Sequence, residues 1–255
     1  SANYLSNVGE IENKGIELSI GLQLVDTKDW NVRLNASYNT NHNKVLSIGN
    51  AVPFAIGGFS SRTVQTVVAE GEPVGFIRGY KAVLNPDNSL KEILPLQNLG
   101  STLPTAYGNF SLSASYKNLS FMLSGDYQYG AYVHSFDRQF RFSKGLKDDA
   151  IPEKALEGLD QGANWLNFTN FFVEKSDFLK IRNIGIAYDY KPKKYLKSVN
   201  LAFNVYNPFA FTASSVDPEA ALAGARSQGA VAVGGLNYSS YSTPRQYVGT
   251  IRVSF

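Results

Sequence analysis

Gly15-Ile16-Glu17-Leu18-Ser19-Ile20-Gly21-Leu22-Gln23-Leu24-Val25 is the stretch whose reading decides the fold. Ile16, Leu18, Ile20, Leu22 and Leu24 recur at every second position, and Glu17, Ser19, Gly21 and Gln23 fill the positions between. Side chains of an extended chain point alternately to opposite faces, so this is a strand with one apolar and one small, polar face. Residues 30–40 repeat the pattern, with Trp30, Val32, Leu34, Ala36 and Tyr38 set against Asn31, Arg33, Asn35, Ser37 and Asn39. The same alternation predicts strands over 106–116, 119–129, 198–207 and 245–255, and less regularly over 62–70, 74–82 and 178–190, about nine in all. In 178–190, Leu179 and Ile181 are out of phase with Ile184, Ile186 and Tyr188, which predicts a β-bulge near Arg182 and Asn183.

The connections say what kind of sheet this is. Short turns at 26–29, 71–73, 117–118 and 191–197 alternate with long segments at 41–61, 83–105, 130–177 and 208–244. That alternation suits an antiparallel transmembrane β-barrel with tight periplasmic turns and long outer loops; a soluble domain with four such structureless loops is unusual. Trp30, Tyr116, Tyr188, Tyr190 and Phe255 fall near the short-turn ends, and Tyr38, Tyr127, Tyr129 and Tyr247 near the long-loop ends, as interface girdles would. Leu18, Leu34, Leu112, Phe121, Leu201 and Ile251 are then expected to face lipid, and Arg33, Asn35, Asp126, Gln128 and Arg252 the lumen or a plug. Nine is an odd number and both edges are unpaired, so the chain is expected to be part of a larger barrel.

Composition narrows the function. The 255 residues are 44% hydrophobic and 18% charged, and the mean hydropathy is −0.18. No apolar run approaches the ~18 residues of a helical span, whereas barrel strands need only ~9–11. The 24 Lys and Arg are scattered among 21 acids for a net charge of +3, which disfavours nucleic acid as a partner. With no cysteine, disulfides, thiolate metal sites and Cys nucleophiles are excluded. H-E-x-x-H, G-x-x-x-x-G-K-(S/T) and G-x-S-x-G are absent. His42 and His134 fall in or beside loops and are read as exposed loop residues. No catalytic residue, cofactor or metal is expected. Asp217-Pro218-Glu219 reads as a turn starter, or as an oxygen pair for a cation. Asp137, Arg138, Arg141, Lys144, Lys147, Asp148 and Asp149 read as a solvated mixed-charge loop. Gly57-Gly58 and the glycine-rich stretch 224–235 lack the strand-to-helix setting of a phosphate loop and read as outer loops. Any export signal is expected upstream of Ser1.

Seven blocks in order resemble one family. They are Asn7-Val8-Gly9-Glu10-Ile11-Glu12-Asn13-Lys14-Gly15-Ile16-Glu17; Trp30 with Asn39-Thr40-Asn41-His42-Asn43-Lys44-Val45; and Glu70-Gly71-Glu72-Pro73-Val74-Gly75-Phe76 with Gly79-Tyr80. There follow Gly100 with Pro104-Thr105-Ala106-Tyr107-Gly108-Asn109-Phe110, and then Phe178-Leu179-Lys180-Ile181-Arg182-Asn183-Ile184. The last two are Asn204 through Thr212 with Asp217-Pro218-Glu219, and Tyr241-Ser242-Thr243-Pro244-Arg245 running to Phe255. In these the chain resembles the SusC/RagA-like TonB-dependent outer-membrane transporters of Bacteroidetes-type bacteria. It departs from the family pattern at Pro208, where Leu is more usual, and at Phe203, where Gly is more usual.

The resemblance implies that residues 1–255 are the C-terminal part of a barrel of about 22 strands, with the plug and the TonB-contacting segment outside this chain. It implies a SusD-like surface lipoprotein and TonB as partners, glycans or oligopeptides as cargo, and an outer-membrane location. It also makes Phe255 the terminal signal for barrel assembly. A siderophore or cobalamin receptor without a lid, a barrel enzyme and a surface β-sandwich adhesin are the competing readings. Segments 130–177 and 208–244 carry Phe136, Phe140, Trp165, Phe168, Tyr238 and Tyr241, a mixture suited to protein contact. Arg138, Arg141, Trp165, Asp217 and Glu219 are the candidate partner or cargo contacts; the competing reading is that these loops pack on one another over the barrel mouth.

Overall fold

The computed structural model describes residues 9–58, 64–192, 196–217, 219, 235–238 and 241–255. Asn7, Val8, Arg62, Pro218 and the glycine-rich residues 224–234 lie outside the described residues. The strands are β1 (Glu10–Lys14), β2 (Glu17–Asp26), β3 (Trp30–Thr40), β4 (His42–Ser47), β5 (Phe54–Gly58), β6 (Gln65–Val68), β7 (Phe76–Leu84) and β8 (Leu90–Ser101). They continue with β9 (Ala106–Tyr116), β10 (Leu119–Tyr129), β11 (Tyr132–Ser135), β12 (Val173–Lys175), β13 (Phe178–Tyr190), β14 (Ser198–Thr212), β15 (Leu236–Asn237) and β16 (Gln246–Ser254).

Seven of them form one antiparallel sheet in the order β16-β14-β13-β10-β9-β3-β2. Register carries the sequence alternation across its whole width. Leu22, Leu34, Leu112, Leu123, Ile184, Val205 and Tyr247 are successive cross-strand partners, and so are Trp30, Tyr116, Leu119, Tyr188, Leu201 and Ile251. Gly21, Asn35, Ser111, Ser124 and Asn183 make the adjacent polar row. A one-residue slip would exchange the two faces, so this agreement across seven strands pins the register. The apolar face is not covered by protein: Leu18 is 51% exposed, Ile186 49% and Leu201 44%. A continuous apolar face of this extent belongs against an apolar medium. The bulge lies where the phase break predicts it. Ile181 and Asn183 bracket a register shift toward both neighbours: Arg182 is the extra residue toward β10, and toward β14 it stands against two residues, Asn207 and Pro208.

The expected membership of the barrel sheet is corrected. Residues 65–68 and 76–84 are strands, but β6 and β7 belong to a separate four-stranded sheet, β5-β6-β7-β8, and β3 pairs directly with β9. Among the described residues the barrel sheet therefore has seven strands, and the described residues between β3 and β9 form an excursion from it; the turn at 71–73 joins β6 to β7 within that excursion. Alternation reports a strand without saying which sheet it joins. β8 escapes the pattern altogether, because Pro95 and Leu96, at φ 54°, interrupt its alternation and the β7–β8 pair shifts register three times.

The long segments are also not structureless; they build a cap with its own core. Ala82, Phe142, Ile151, Ala155, Phe168 and Phe172 form its largest buried cluster, joining β7 to α1 (Phe136–Ser143) and to the 3-10 helix Trp165–Phe172. Val64, Ile77 and Leu236 form a second cluster. Gly79 lets the 3-10 helix approach, since a Cβ there would stand 2.7 Å from Thr169 Cγ2. Asn170 then brackets the backbone of Ala82, accepting from its N–H at 2.9 Å and donating to its carbonyl at 3.3 Å. His134, expected to be exposed, is fully buried on β11, because β11 is flanked by β12 and β15 in a three-stranded sheet inside the cap. No helix among the described residues is long and apolar enough to cross a membrane.

Candidate functional site

The polar face of the sheet ends, below the cap, in a cavity of roughly 590 Å³. Asn39, Tyr107, Asn109, Asp126, Gln128 and Phe178 line it from the tops of β3, β9, β10 and β13, and Tyr132, Ser176, Glu219 and Gly235 close it from the cap side. Alternation puts these strand residues on one face: Tyr107 stands opposite Asn39 and Gln128, Asn109 opposite Asp126, and Asp126 opposite Lys180.

Beside the cavity runs a network of charge-assisted hydrogen bonds. The Lys180 ammonium donates to Asp217 Oδ1 at 2.5 Å and to Glu219 Oε2 at 2.6 Å, and it lies 5.2 Å from the centre of the Phe178 ring. Arg182 donates to both carboxylate oxygens of Asp126, through Nη2 at 2.8 Å, and to Glu219 as well. The bulge makes this possible, since the extra residue brings Arg182 beside Lys180 on the polar side. Asp217 also accepts from the backbone N–H of Glu219 at 3.1 Å and of Thr243 at 3.3 Å, tying both ends of the segment between β14 and β16 to the wall. Burial works to raise the Asp217 and Glu219 carboxyls, but Lys180 on the first, and Arg182 and Lys180 on the second, outweigh it and hold both below the usual carboxylate range.

The sequence candidates separate into two groups. Asp126 and Glu219 meet at the cavity, with Asp217 behind them and Gln128 bonded to Ser176 at its rim. Arg33 bonds to Gln23 at 3.2 Å, Asn35 to Ser111 at 3.3 Å, and Arg252 stands opposite Asn200; all three share the polar face away from the cavity. Arg138 is engaged within the chain. It donates to Asp148 at 2.5 and 2.9 Å and to Glu174, whose Oε1 also accepts from the Ser215 hydroxyl at 2.8 Å. Arg141 is exposed beside a second, charged pocket of about 450 Å³. Trp165 is half-buried, edge-on to Phe136 at 6.1 Å and packed against the largest cluster of the cap. The aromatic residues of the two outer segments thus pack extensively on one another, while Phe140, Tyr238 and Tyr241 keep exposed surface.

Lys180, Arg182, Tyr107, Asn109 and Phe178 were not singled out from sequence. The phase break at Arg182 was the signal available for two of them. His134 bonds through Nε2 to Gln139 Oε1 at 2.7 Å, and Gln139 donates to Thr169 Oγ1 at 3.0 Å. Burial lowers the His134 pKa to about 4, the Gln139 bond opposing and Arg138 adding to the shift. Among the described residues no group of three or more His, Asp or Glu is placed to hold a metal ion.

No family model matches the chain. TonB-dependent receptor P26 of Formosa agariphila is 25% identical over 99% of this chain, and TonB-dependent receptor P3 of the same bacterium is 23% identical over 100% of it. The chain spans about 30% of the length of each. Among solved structures, the RagAB peptide transporter matches over 98% of this chain and 30% of its own, with a TM-score of 0.69 at 22% identity. The RagAB peptide importer in its closed-closed state gives 0.70 at 20% identity over the same shares. The chain is thus similar from end to end to part of TonB-dependent receptors, and its fold superposes on part of the RagAB transporter.

Proposed function

We propose that the protein containing this chain imports glycans or oligopeptides across the outer membrane, driven through TonB and assisted by a SusD-like surface lipoprotein. This chain is the C-terminal stretch of its barrel. The observation that carries the reading is the two-faced sheet: an uncovered apolar face for lipid, and a polar face that leads to a cavity under a folded cap. In this reading Phe140, Tyr238, Tyr241 and Arg141, exposed on the cap, contact the lipoprotein. Arg138 and Trp165 support that surface from within. The full-length receptor, expressed with its neighbouring lipoprotein, should co-purify with it and should accumulate labelled glycan or peptide in cells only while TonB and the proton gradient are intact. Accumulation that persists without TonB would reject active import. Accumulation of a siderophore or cobalamin without any lipoprotein would favour the lid-free receptor instead.

A further inference from the structure

We propose that the cavity beneath the cap is a binding site for a cationic group, an ammonium or guanidinium carried by the cargo. The inference rests on the import reading and deepens it. Among the described residues lining the cavity, the only charged ones are Asp126 and Glu219. The network behind them sets three carboxylates (Asp126, Asp217 and Glu219) against two cations (Lys180 and Arg182), so one negative charge is in excess at the wall. Lys180 is almost fully buried and directed at its carboxylates, so it is not presented to a ligand. The rest of the lining suits an extended polar chain with a cation at one point. Asn109 and Gln128 present amides, which both donate and accept, and Tyr107 and Phe178 present rings, whose faces attract cations. A volume near 590 Å³ is ordinary for a ligand site. Glu219 belongs to the segment between β14 and β16 whose ends Asp217 ties together. A ligand cation competing with Arg182 for Glu219 therefore acts on that segment directly.

The test uses the full-length receptor in detergent and titration calorimetry with end-capped alanine tripeptides carrying lysine, alanine or glutamate at the centre. The lysine peptide should bind roughly tenfold more tightly than the other two, and added salt should shrink the difference. Substitutions at Asp126 or Glu219 disturb the network, so the decisive variants are at Asn109, an exposed lining residue directly across from Asp126. Asn109→Asp should strengthen lysine-peptide binding and Asn109→Lys should abolish the preference. A glucosamine trimer set against an N-acetylglucosamine trimer shows whether the cation can come from a sugar as well as a peptide. Equal affinities throughout, a preference for glutamate, or a lysine preference unmoved by Asn109→Lys would overturn the proposal. If uptake is intact while the preference is absent, only this inference fails; if the preference is present without TonB-dependent uptake, only the import reading fails.

Discussion

Tyr127 lies across Gly108, its cross-strand partner, and its hydroxyl donates to the Ser37 carbonyl at 3.0 Å on the strand beyond. One side chain thus spans β10, β9 and β3, and it fits only because position 108 has no Cβ. A Cβ there would stand 2.0 Å from the Ser37 carbonyl oxygen and 2.7 Å from the tyrosine hydroxyl. Gly108→Ala should therefore reduce the yield of assembled receptor sharply, whereas Tyr127→Phe, losing one hydrogen bond, should cost about 1 kcal/mol. Heat-modifiable gel migration reads the first and a thermal unfolding midpoint the second; a fully assembled Gly108→Ala barrel would contradict this packing.

The two faces of the sheet can be told apart with neighbouring residues. Leu112→Arg puts a charge on the apolar face and should destabilise the barrel by about 2–4 kcal/mol if it lies near the membrane midplane. Ser111→Arg, one residue earlier and on the polar face, should assemble normally. Equal effects in denaturant titrations of the refolded receptor would show that the register assigned to β9 is wrong.

Arg138 holds the cap together rather than offering a free charge. Its side chain is 21% exposed, and Asp148 and Glu174 are at 11% and 16%. Arg138→Met leaves two carboxylates poorly solvated and should cost about 3 kcal/mol locally. Limited proteolysis should then cut within 131–177 faster than in the native receptor, and adding Glu174→Gln should restore part of the resistance. Unchanged cleavage would remove Arg138 from this role.

Acid should loosen the same cap. The His134 pKa lies at about 4 when folded, below its ordinary 6.5, because burial disfavours the charged ring. Unfolded chains therefore bind the extra proton first. The stability that neutral His134 contributes is complete above pH 6.5 and is lost as pH falls from there through about 4, a loss on the order of 3 kcal/mol. Asp217 and Glu219, whose carboxyls are also depressed, act in the same direction lower on the scale. Proteolysis of the cap should quicken between pH 7 and 4, and His134→Gln should flatten the upper part of that response. A pH-independent cap would contradict the burial of His134.

Lys180→Met should release the segment between β14 and β16, because Asp217 and Glu219 lose a buried cation that each contacts within 2.6 Å. Hydrogen exchange at residues 213–217 and 241–245 should rise while exchange in β9 and β10 stays slow. Protection unchanged at 213–217 would mean that backbone contacts alone hold the segment.

Period-2 alternation is a local property, and it was enough to mark each of the seven barrel strands as a strand and to determine the face each of their residues takes, the bulge near Arg182 and hence a two-faced sheet suited to a membrane. The family resemblance lies in the same local blocks. Only tertiary structure decided which sheet a strand joins. Gln65–Val68 and Phe76–Leu84 read as barrel strands until pairing placed them in the cap, where β7 is covered on the side that meets the 3-10 helix. The same holds for His134, whose neighbours in sequence look like a loop and whose burial comes from Val173 and Leu236, each paired with it across the sheet and 39 and 102 positions away by their numbers. The charged network joins positions 126, 180, 182, 217 and 219, and no local pattern links carboxylates to cations over such separations. Long-range pairing is chosen by the packing of the whole chain, so these contacts became visible only once it was folded.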